Sequence, residues 1–426
     1  MLNILFIVTA ICFAINVPIG FALGIGASFS IIFGGNISMI GLIPQRMVAG
    51  VNSFPLLAIP FFMLAGEIMA KGGVSKRIVI LADSLVGWLK GGLSAVSILS
   101  CTFFAAISGS TPATAAAVGN LTIPEMESRG YPKDYASAVV ASSACLGVII
   151  PPSVTMVIYG VTASVSIGKL LIGGIIPGLF LSALLLLVNW ILAGKVYKFP
   201  TGEKKSASEI LKSFIDAIWA LIMPMIILGG IMTGIFTPTE SAAVAVVYGL
   251  IVGFFVYKEL KVNELIGIFY KASLNSAMVM LLIAIATPFG WIMTAQQFPA
   301  MASEFILGIS NNADVIYAIV LILYLILGTF METGSIILLV VPILAPIMHN
   351  LGVDPVHFGV VTVISLAIGM ATPPLGISLF ATAGISGVTL SELTKAIWPF
   401  LLIMIIGVFI LAYVPIIVTI LPDLVM

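Results

Sequence analysis

Apolar residues fill this chain in long blocks separated by short breaks rich in Gly, Pro or charge, and almost nowhere do they alternate with polar residues. Such blocks exceed the roughly ten-residue alternating strands of a membrane barrel, and in lipid the helix is the other structure that pairs every backbone group internally. The pattern predicts helices over 2–16, 19–33 and 51–70, an amphipathic stretch at 75–89, a hairpin at 93–123, an interrupted helix at 134–163 and a helix at 170–193. A polar linker, 195–212, follows. The plan then repeats: helices over 214–232, 240–257 and 273–293, a weak amphipathic piece at 299–309, a hairpin at 315–348, an interrupted helix at 356–382 and a helix at 393–421. The expected fold is an all-α polytopic membrane protein. Each half reads as five crossings plus one hairpin, and because five is odd, the halves 1–194 and 213–426 are expected to run in opposite directions.

The repeat is testable by offset. Shifting 111–177 by 222 residues without a gap gives 14 identities in 67 positions, against roughly 5 or 6 expected by chance in so biased a composition. The matched residues are more telling than their number: Thr111 falls on Thr333, Pro124 on Pro346, Gly130 on Gly352, Gly147 on Gly369, Pro151 and Pro152 on Pro373 and Pro374, and Pro177 on Pro399. Glycine and proline constrain the backbone, so these matches point to a repeated shape.

Composition then fixes the solvent. Hydrophobic residues make up 61% of the chain and charged residues 8%, where a soluble domain carries about 25% charged residues, so lipid is the main environment. The 17 Lys plus Arg are balanced by 17 Asp plus Glu, which leaves no basic surplus for nucleic acid. High hydrophobicity excludes disorder. The three cysteines, Cys12, Cys101 and Cys145, fit no metal or disulfide spacing and read as small apolar packing residues. The first apolar block lacks the charged leader of a signal peptide and reads as a retained helix. With the N-terminus outside, 15 of the 17 Lys plus Arg fall inside, all except Arg46 and Lys169. The positive-inside rule therefore supports inverted halves, external termini and a cytoplasmic linker.

Candidate chemistry sits at the breaks. The first hairpin turns at Ser108-Gly-Ser-Thr-Pro-Ala-Thr114; its arms are too short for two full crossings, so the chain is expected to turn within the bilayer, where irregular backbone survives only if buried in protein or lining a watered cavity. Ser108, Ser110, Thr111 and Thr114 supply hard oxygens there. The second tip offers Thr329, Glu332, Thr333 and Ser335. The alternative for both tips is ordinary small-residue helix packing. The interrupted helices carry Gly147-Val-Ile-Ile-Pro-Pro-Ser153 and Gly369-Met-Ala-Thr-Pro-Pro-Leu-Gly376. A Pro-Pro pair withdraws two amide donors and breaks the helix, exposing carbonyls that attract a cation and a helix N-terminus that attracts an anion. Broken helices at matching positions of two halves point to a transporter's midplane site.

The three arginines, Arg46, Arg77 and Arg129, all read as lying at membrane edges, and no lysine falls in a midplane segment. A bound anion would then be held by helix N-termini and co-bound cations. Among the acids, Glu240 in Thr237-Pro-Thr-Glu240 reads as a cap, Glu67 as a local partner of Lys71 four residues on, and Glu332 stays open between cation and substrate contact. The 75–89 stretch reads either as an interfacial brace between a fixed and a moving part or as a simple surface helix.

With these passages and the Pro124-to-Tyr131 run Pro-Glu-Met-Glu-Ser-Arg-Gly-Tyr, the chain resembles, over essentially its whole length, the large membrane subunit of tripartite ATP-independent periplasmic (TRAP) transporters, within the ion transporter superfamily. The resemblance implies Na⁺-driven uptake of an organic acid, a C4-dicarboxylate, sialic acid or another sugar acid, across a bacterial inner membrane, without enzymatic chemistry. It implies a periplasmic binding protein that delivers the substrate, a small four-helix membrane subunit, here not fused to the chain, and an elevator movement of hairpins and broken helices against a scaffold. By motif it implies one Na⁺ site at Ser108, Gly109, Ser110, Gly147, Pro151 and Ser153, and a second at Thr329, Thr333, Gly334, Gly369, Thr372 and Gly376. Substrate would lie between the tips, at Ser108, Ser110, Thr111, Thr114, Glu332, Thr333, Ser335 and Thr372. The alternative is a stand-alone Na⁺/carboxylate symporter. An intramembrane protease is excluded because neither HExxH nor GxGD occurs and His349 and His357 are out of register with Ser108 and Ser110. A channel is disfavoured because paired broken helices serve alternating access.

Overall fold

The computed structural model describes residues 1–35, 37–199, 201–310 and 312–426. Among them there is no strand, only an isolated bridge between Lys90 and Thr201. Among the described residues, eight helical stretches are long and apolar enough to cross a membrane: Phe54–Lys71, Ile167–Val196, Ala207–Met232, Pro238–Val256, Val262–Ala295, Ala313–Phe330, Thr333–Asn350 and Leu390–Tyr413.

The hairpins and breaks sit at the centre. The first hairpin is Gly92–Ser108 followed by Thr111–Ser128, and the second is Ala313–Phe330 followed by Thr333–Asn350. The first interrupted helix runs Lys133–Ala144, takes a tighter turn at Cys145–Val148, breaks, and resumes at Val154–Ala163. The second runs Pro355–Gly369, breaks, and resumes at Ile377–Ser386. The peptide bonds Pro151–Pro152 and Pro373–Pro374 are both cis. Residues 135–160 are buried without exception, as are 357–371, which is what helices apolar on every face require. The halves interlock here: Ile377–Ser386 packs on Thr111–Ser128 and Lys133–Ala144, Thr333–Asn350 packs on Val154–Ala163, and Ser378 Oγ donates to Ala141 O at 2.6 Å.

A second layer flanks this core. Ala58–Lys71 packs against Pro238–Ile251 and against the long helix Val262–Ala295, and Ala207–Met232 packs on Pro238–Ile251. Between the layers lies the amphipathic helix Val74–Val86, which touches both Gly92–Ser108 and Ala207–Met232. Ser84 Oγ meets Ser213 Oγ at 2.7 Å, and Arg77 pairs with Glu259 at 2.7 Å with its guanidinium 3.8 Å from the Tyr257 ring centre. The segment is thus packed against helices on two sides.

The structure departs from the sequence expectation in several places. The first two predicted crossings are the short helices Leu2–Ala14 and Ile19–Phe33; at about 1.5 Å per residue they reach about 20 to 23 Å, less than the hydrocarbon thickness of about 30 Å. Expected only as a connection, the stretch before residue 51 is a tight turn at Ile37–Gly41 and a helix at Leu42–Val51 packed on the long helix; its mixed pattern hid the periodicity. The helix expected at 273–293 starts at Val262, where Lys261 donates its amide to Glu264 at 3.1 Å, so Lys271 lies within a helix rather than a loop. The last predicted helix stops at Tyr413 and resumes as Ile416–Val425 across Val414-Pro415. Within the 195–212 linker, 207–212 are already helical, launched by Ser206, whose hydroxyl accepts from Glu209 N at 3.3 Å. The Tyr131 singled out by motif stacks on linker residue Phe199 with ring centres 3.9 Å apart.

Candidate functional site

The first tip is built by a left-handed turn. Gly92–Ser108 ends in Gly109 at φ +61°, and an added Cβ there would lie 2.8 Å from Pro152 O, so glycine is demanded both by the dihedral and by the approach of the broken helix. Three oxygens gather beside it. Ser108 Oγ meets Thr114 Oγ1 at 2.7 Å, Thr114 Oγ1 donates to Ser110 O at 2.9 Å, and Ser108 Oγ donates to Ser110 O at 3.3 Å. Gly147 forms the opposite wall: a Cβ there would lie 2.5 Å from Thr114 Oγ1 and 2.7 Å from Ser110 O. The predicted residues Ser108, Gly109, Ser110, Thr114 and Gly147 therefore come together. The contact with the break runs through Pro152 rather than Pro151, and the Ser153 hydroxyl is engaged in its own turn, donating to Val148 O at 2.6 Å and accepting from Met156 N at 3.2 Å. The Thr111 hydroxyl is buried with no hydrogen-bond partner.

At the second tip, Gly328 and Gly369 let two helices touch backbone to backbone, each glycine's added Cβ falling under 3 Å from the other's Cα. Gly376 N donates to Thr329 O at 3.1 Å, which ties tip to break. Thr372 Oγ1 donates back to Ile368 O at 2.9 Å, and Thr333 Oγ1 turns to Met370 Sδ at 3.2 Å. Glu332 caps the second arm by accepting from Ser335 N at 3.2 Å, and its side chain is exposed. Thr329, Gly369 and Gly376 thus converge, while Thr333 and Ser335 are each engaged with a different neighbour. A Cβ at Gly334 would lie 3.3 Å from Ile158, so this glycine faces the resumed first broken helix.

Both tips border one cavity of about 830 Å³. Ser108, Gly109, Ser110, Thr111 and Glu332 line it; Thr114, Thr333, Ser335 and Thr372 do not. Among the tip and break helices, two that begin on this cavity have no side-chain cap, the arm starting at Thr111, with Pro112 in its first turn, and the resumed helix starting at Ile377; the amphipathic helix Val74–Val86, which follows the cavity-lining Gly73, is uncapped as well. The other two interior N-termini are closed by Ser153 and Glu332. Sequence reasoning missed the far wall, formed by Glu67, Lys71, Lys271 and Asn275, together with Asn120 on the hairpin. Helical phase could have flagged Asn275, one turn after Lys271. Glu67 pairs with Lys271 at 2.9 Å and not with the expected Lys71, because Lys271 sits across the gap on the long helix. Glu240 does form the expected cap, with Thr237 N donating to its carboxylate at 2.7 Å. Cys12, Cys101 and Cys145 are free and buried.

Two helical hairpins and two interrupted helices around one cavity, among long apolar helices, define an all-α polytopic membrane protein. The fold is shared with the crystal structure of the Alcanivorax borkumensis YdaH transporter, with a TM-score of 0.67, 90% of this chain and 89% of that chain covered, and 13% identity. Residues 6–417 match the family described as "Tripartite ATP-independent periplasmic transporter, DctM component", and the chain belongs to that family. Among its relatives are the isethionate TRAP transporter permease protein DctMQ of Oleidesulfovibrio alaskensis, 44% identical across 97% of this chain, and the C4-dicarboxylate TRAP transporter large permease protein DctM of Pseudomonas aeruginosa, 40% identical across 87% of this chain and 86% of that protein. The sialic acid TRAP transporter large permease protein SiaM of Vibrio cholerae is 38% identical across 96% and 95%. The chain spans 65% of the length of the isethionate protein.

Proposed function

We propose that this chain is the conducting subunit of a Na⁺-coupled uptake system for a small organic acid in the bacterial inner membrane. The relatives' names cover a sulfonate, C4-dicarboxylates and sialic acid, all small anions, and the acid here belongs to that class. The observation that carries the reading is the pair of uncapped helix N-termini at Thr111 and Ile377 opening on one cavity. An uncapped N-terminus presents amides and partial positive charge to an anion. Beside it, the oxygens of Ser108, Ser110 and Thr114 form the kind of hard donor set that suits Na⁺, and a second Na⁺ is assigned to the carbonyl-rich contact of Thr329, Gly369, Thr372 and Gly376.

The cavity is also lined by Lys71, Lys76 and Lys271. The positive-inside rule places that rim in the cytoplasm, so the cavity is open inward, with both termini periplasmic. Outward opening would follow an elevator movement of the interlocked hairpins and broken helices past the flanking helices, the two inverted halves supplying the two access states. A periplasmic binding protein hands over the substrate, and a small four-helix subunit completes the membrane part.

The test is uptake into liposomes holding this chain with its small subunit, given binding protein loaded from a panel of isethionate, succinate and sialic acid. Uptake should fall at least about tenfold, the equivalent of about 1.4 kcal/mol, when K⁺ replaces external Na⁺. Equal uptake in both would overturn the coupling, and uptake without binding protein would favour the stand-alone symporter.

A further inference from the structure

One ion pair in the cavity belongs to neither tip. Glu67, near the end of Ala58–Lys71, and Lys271, in the third turn of Val262–Ala295, meet at 2.9 Å, and Lys271 Nζ donates to the second carboxylate oxygen at 3.0 Å. The pair is lopsided: the Glu67 side chain is 14% exposed and that of Lys271 is 64% exposed. The carboxylate is held against the wall while the ammonium faces the open space. Asn275, one turn further along the same helix, and Asn120 on the hairpin arm opposite line the same cavity. Arg77 is spent elsewhere, on Glu259, the Gly73 carbonyl and the Tyr257 ring. Lys271 is thus the cavity cation whose carboxylate partner also lies in the cavity and can be replaced by another.

We infer that Lys271 is a substrate-contacting residue on the inner release route, and that Glu67 is its resident competitor. The anion leaving the helix N-termini takes the ammonium from Glu67, with Asn275 and Asn120 offering amide contacts, and Glu67 takes it back as the anion departs. The exchange conserves charge, one carboxylate or sulfonate replacing another on the same ammonium. An unopposed ammonium in a half-desolvated cavity would hold the anion and slow its release; an ammonium already paired holds it briefly. The same competition makes the step sensitive to acid accumulated inside. This inference rests on the proposed inward transport of an organic acid.

The experiment is trans-inhibition in the reconstituted tripartite system. Liposomes are loaded with graded internal concentrations of whichever acid among isethionate, succinate and sialic acid is transported best, and initial Na⁺-driven uptake is measured. Glu67→Gln should lower the internal concentration that halves uptake about five- to tenfold, Lys271→Gln should raise it by a similar factor, and the double variant should follow Lys271→Gln, since removing a competing carboxylate or the cation itself changes affinity by up to about a decade. The charge-swapped Glu67→Lys, Lys271→Glu protein keeps an ion pair and serves as the structural control. If both single variants shift trans-inhibition in the same direction and the swap restores wild-type behaviour, the pair is merely structural and the inference is overturned. Absence of uptake by the wild-type system for every acid in the panel is a different result, and strikes the transport reading on which the inference rests.

Discussion

Through the first break, from Gly147 to Ser153, every residue is buried, whereas in the second the chain surfaces at Thr372 and leaves Pro374 and Leu375 exposed. Both follow a long buried helix and both contain the same Pro-Pro pair, so the difference lies in what surrounds them. Around the first, Gly109 lets the hairpin tip approach to carbonyl distance of Pro152, and Ser153 closes the resumed helix with its own hydroxyl. Around the second, the resumed helix starts at Ile377, after Gly376, without a side-chain cap, and the tip contributes an exposed Phe330 and an exposed Glu332. One unit is therefore a closed oxygen cluster and the other an open loop beside the same cavity. Two copies of one backbone idea thus differ in closure: under the proposed function the first would cradle the cation and the second would supply the surface that rearranges as the cavity changes its access.

The largest effect expected from this comparison is at Gly147. Replacing it with Val puts carbon where Thr114 Oγ1 and Ser110 O now stand, an overpacking that costs about 3 kcal/mol or more in a closed site. Thermal unfolding of the detergent-purified protein should fall markedly and uptake should vanish. Leu375→Ala, at a side chain that is 45% exposed, should stay within about 0.5 kcal/mol of wild type. Similar losses in the two variants would mean that the second loop is packed as tightly as the first.

Thiol labelling reads the same contrast kinetically. With Cys12, Cys101 and Cys145 replaced, Leu375→Cys should react with a maleimide at least about tenfold faster than Ile150→Cys, because labelling of a buried site waits for local opening. Saturating Na⁺ with the transported acid should slow the reaction at position 375. A first-break thiol that labels as fast as the second would remove the distinction between a closed and an open unit.

Much of this was legible in the residues. Gly, Pro and Thr recurring at one offset located both tips and both breaks, since residues that restrict φ or abolish an amide leave their mark whatever packs around them. Of the oxygens expected at the first tip and break, those of Ser108, Ser110 and Thr114 gather opposite Gly147, while the Thr111 hydroxyl has no partner and Ser153 is engaged in its own turn. Partnerships across the gap were not legible. Glu67 sits one helical turn from Lys71, so sequence spacing favours that pair, yet the long helix brings Lys271 closer; only tertiary packing decides between them. The helix at Leu42–Val51 and the full reach of Val262–Ala295 were missed for a related reason: polar residues near a membrane surface blur the apolar period while leaving the helix intact.

A smaller effect separates the hydroxyls of the two units. Ser108→Ala removes a group that touches Thr114 and the Ser110 carbonyl, and should cost about 1 kcal/mol, read as about a fivefold higher Na⁺ concentration for half-maximal uptake. Thr372→Val removes a hydroxyl whose hydrogen bond returns to the Ile368 carbonyl of its own turn, and should shift the Na⁺ dependence by less than about twofold. The order reverses if the second unit is the tighter Na⁺ site, which would make the open loop a cation cradle after all.

The smallest effect decides what Glu332 does. Its carboxylate faces the cavity, but one oxygen already accepts from Ser335 N, and the bond closes a helix N-terminus where those at Thr111 and Ile377 have no side-chain cap. Glutamine keeps an acceptor oxygen and loses the charge, so a capping role predicts that Glu332→Gln costs less than about 1 kcal/mol in thermal stability and leaves the Na⁺ dependence of uptake unchanged. A carboxylate that binds cation predicts the opposite pattern, with stability kept and the Na⁺ requirement raised severalfold. That outcome would place a charged ligand at the second unit where the first uses only hydroxyls and carbonyls, and the two sites would then differ in chemistry as well as in closure.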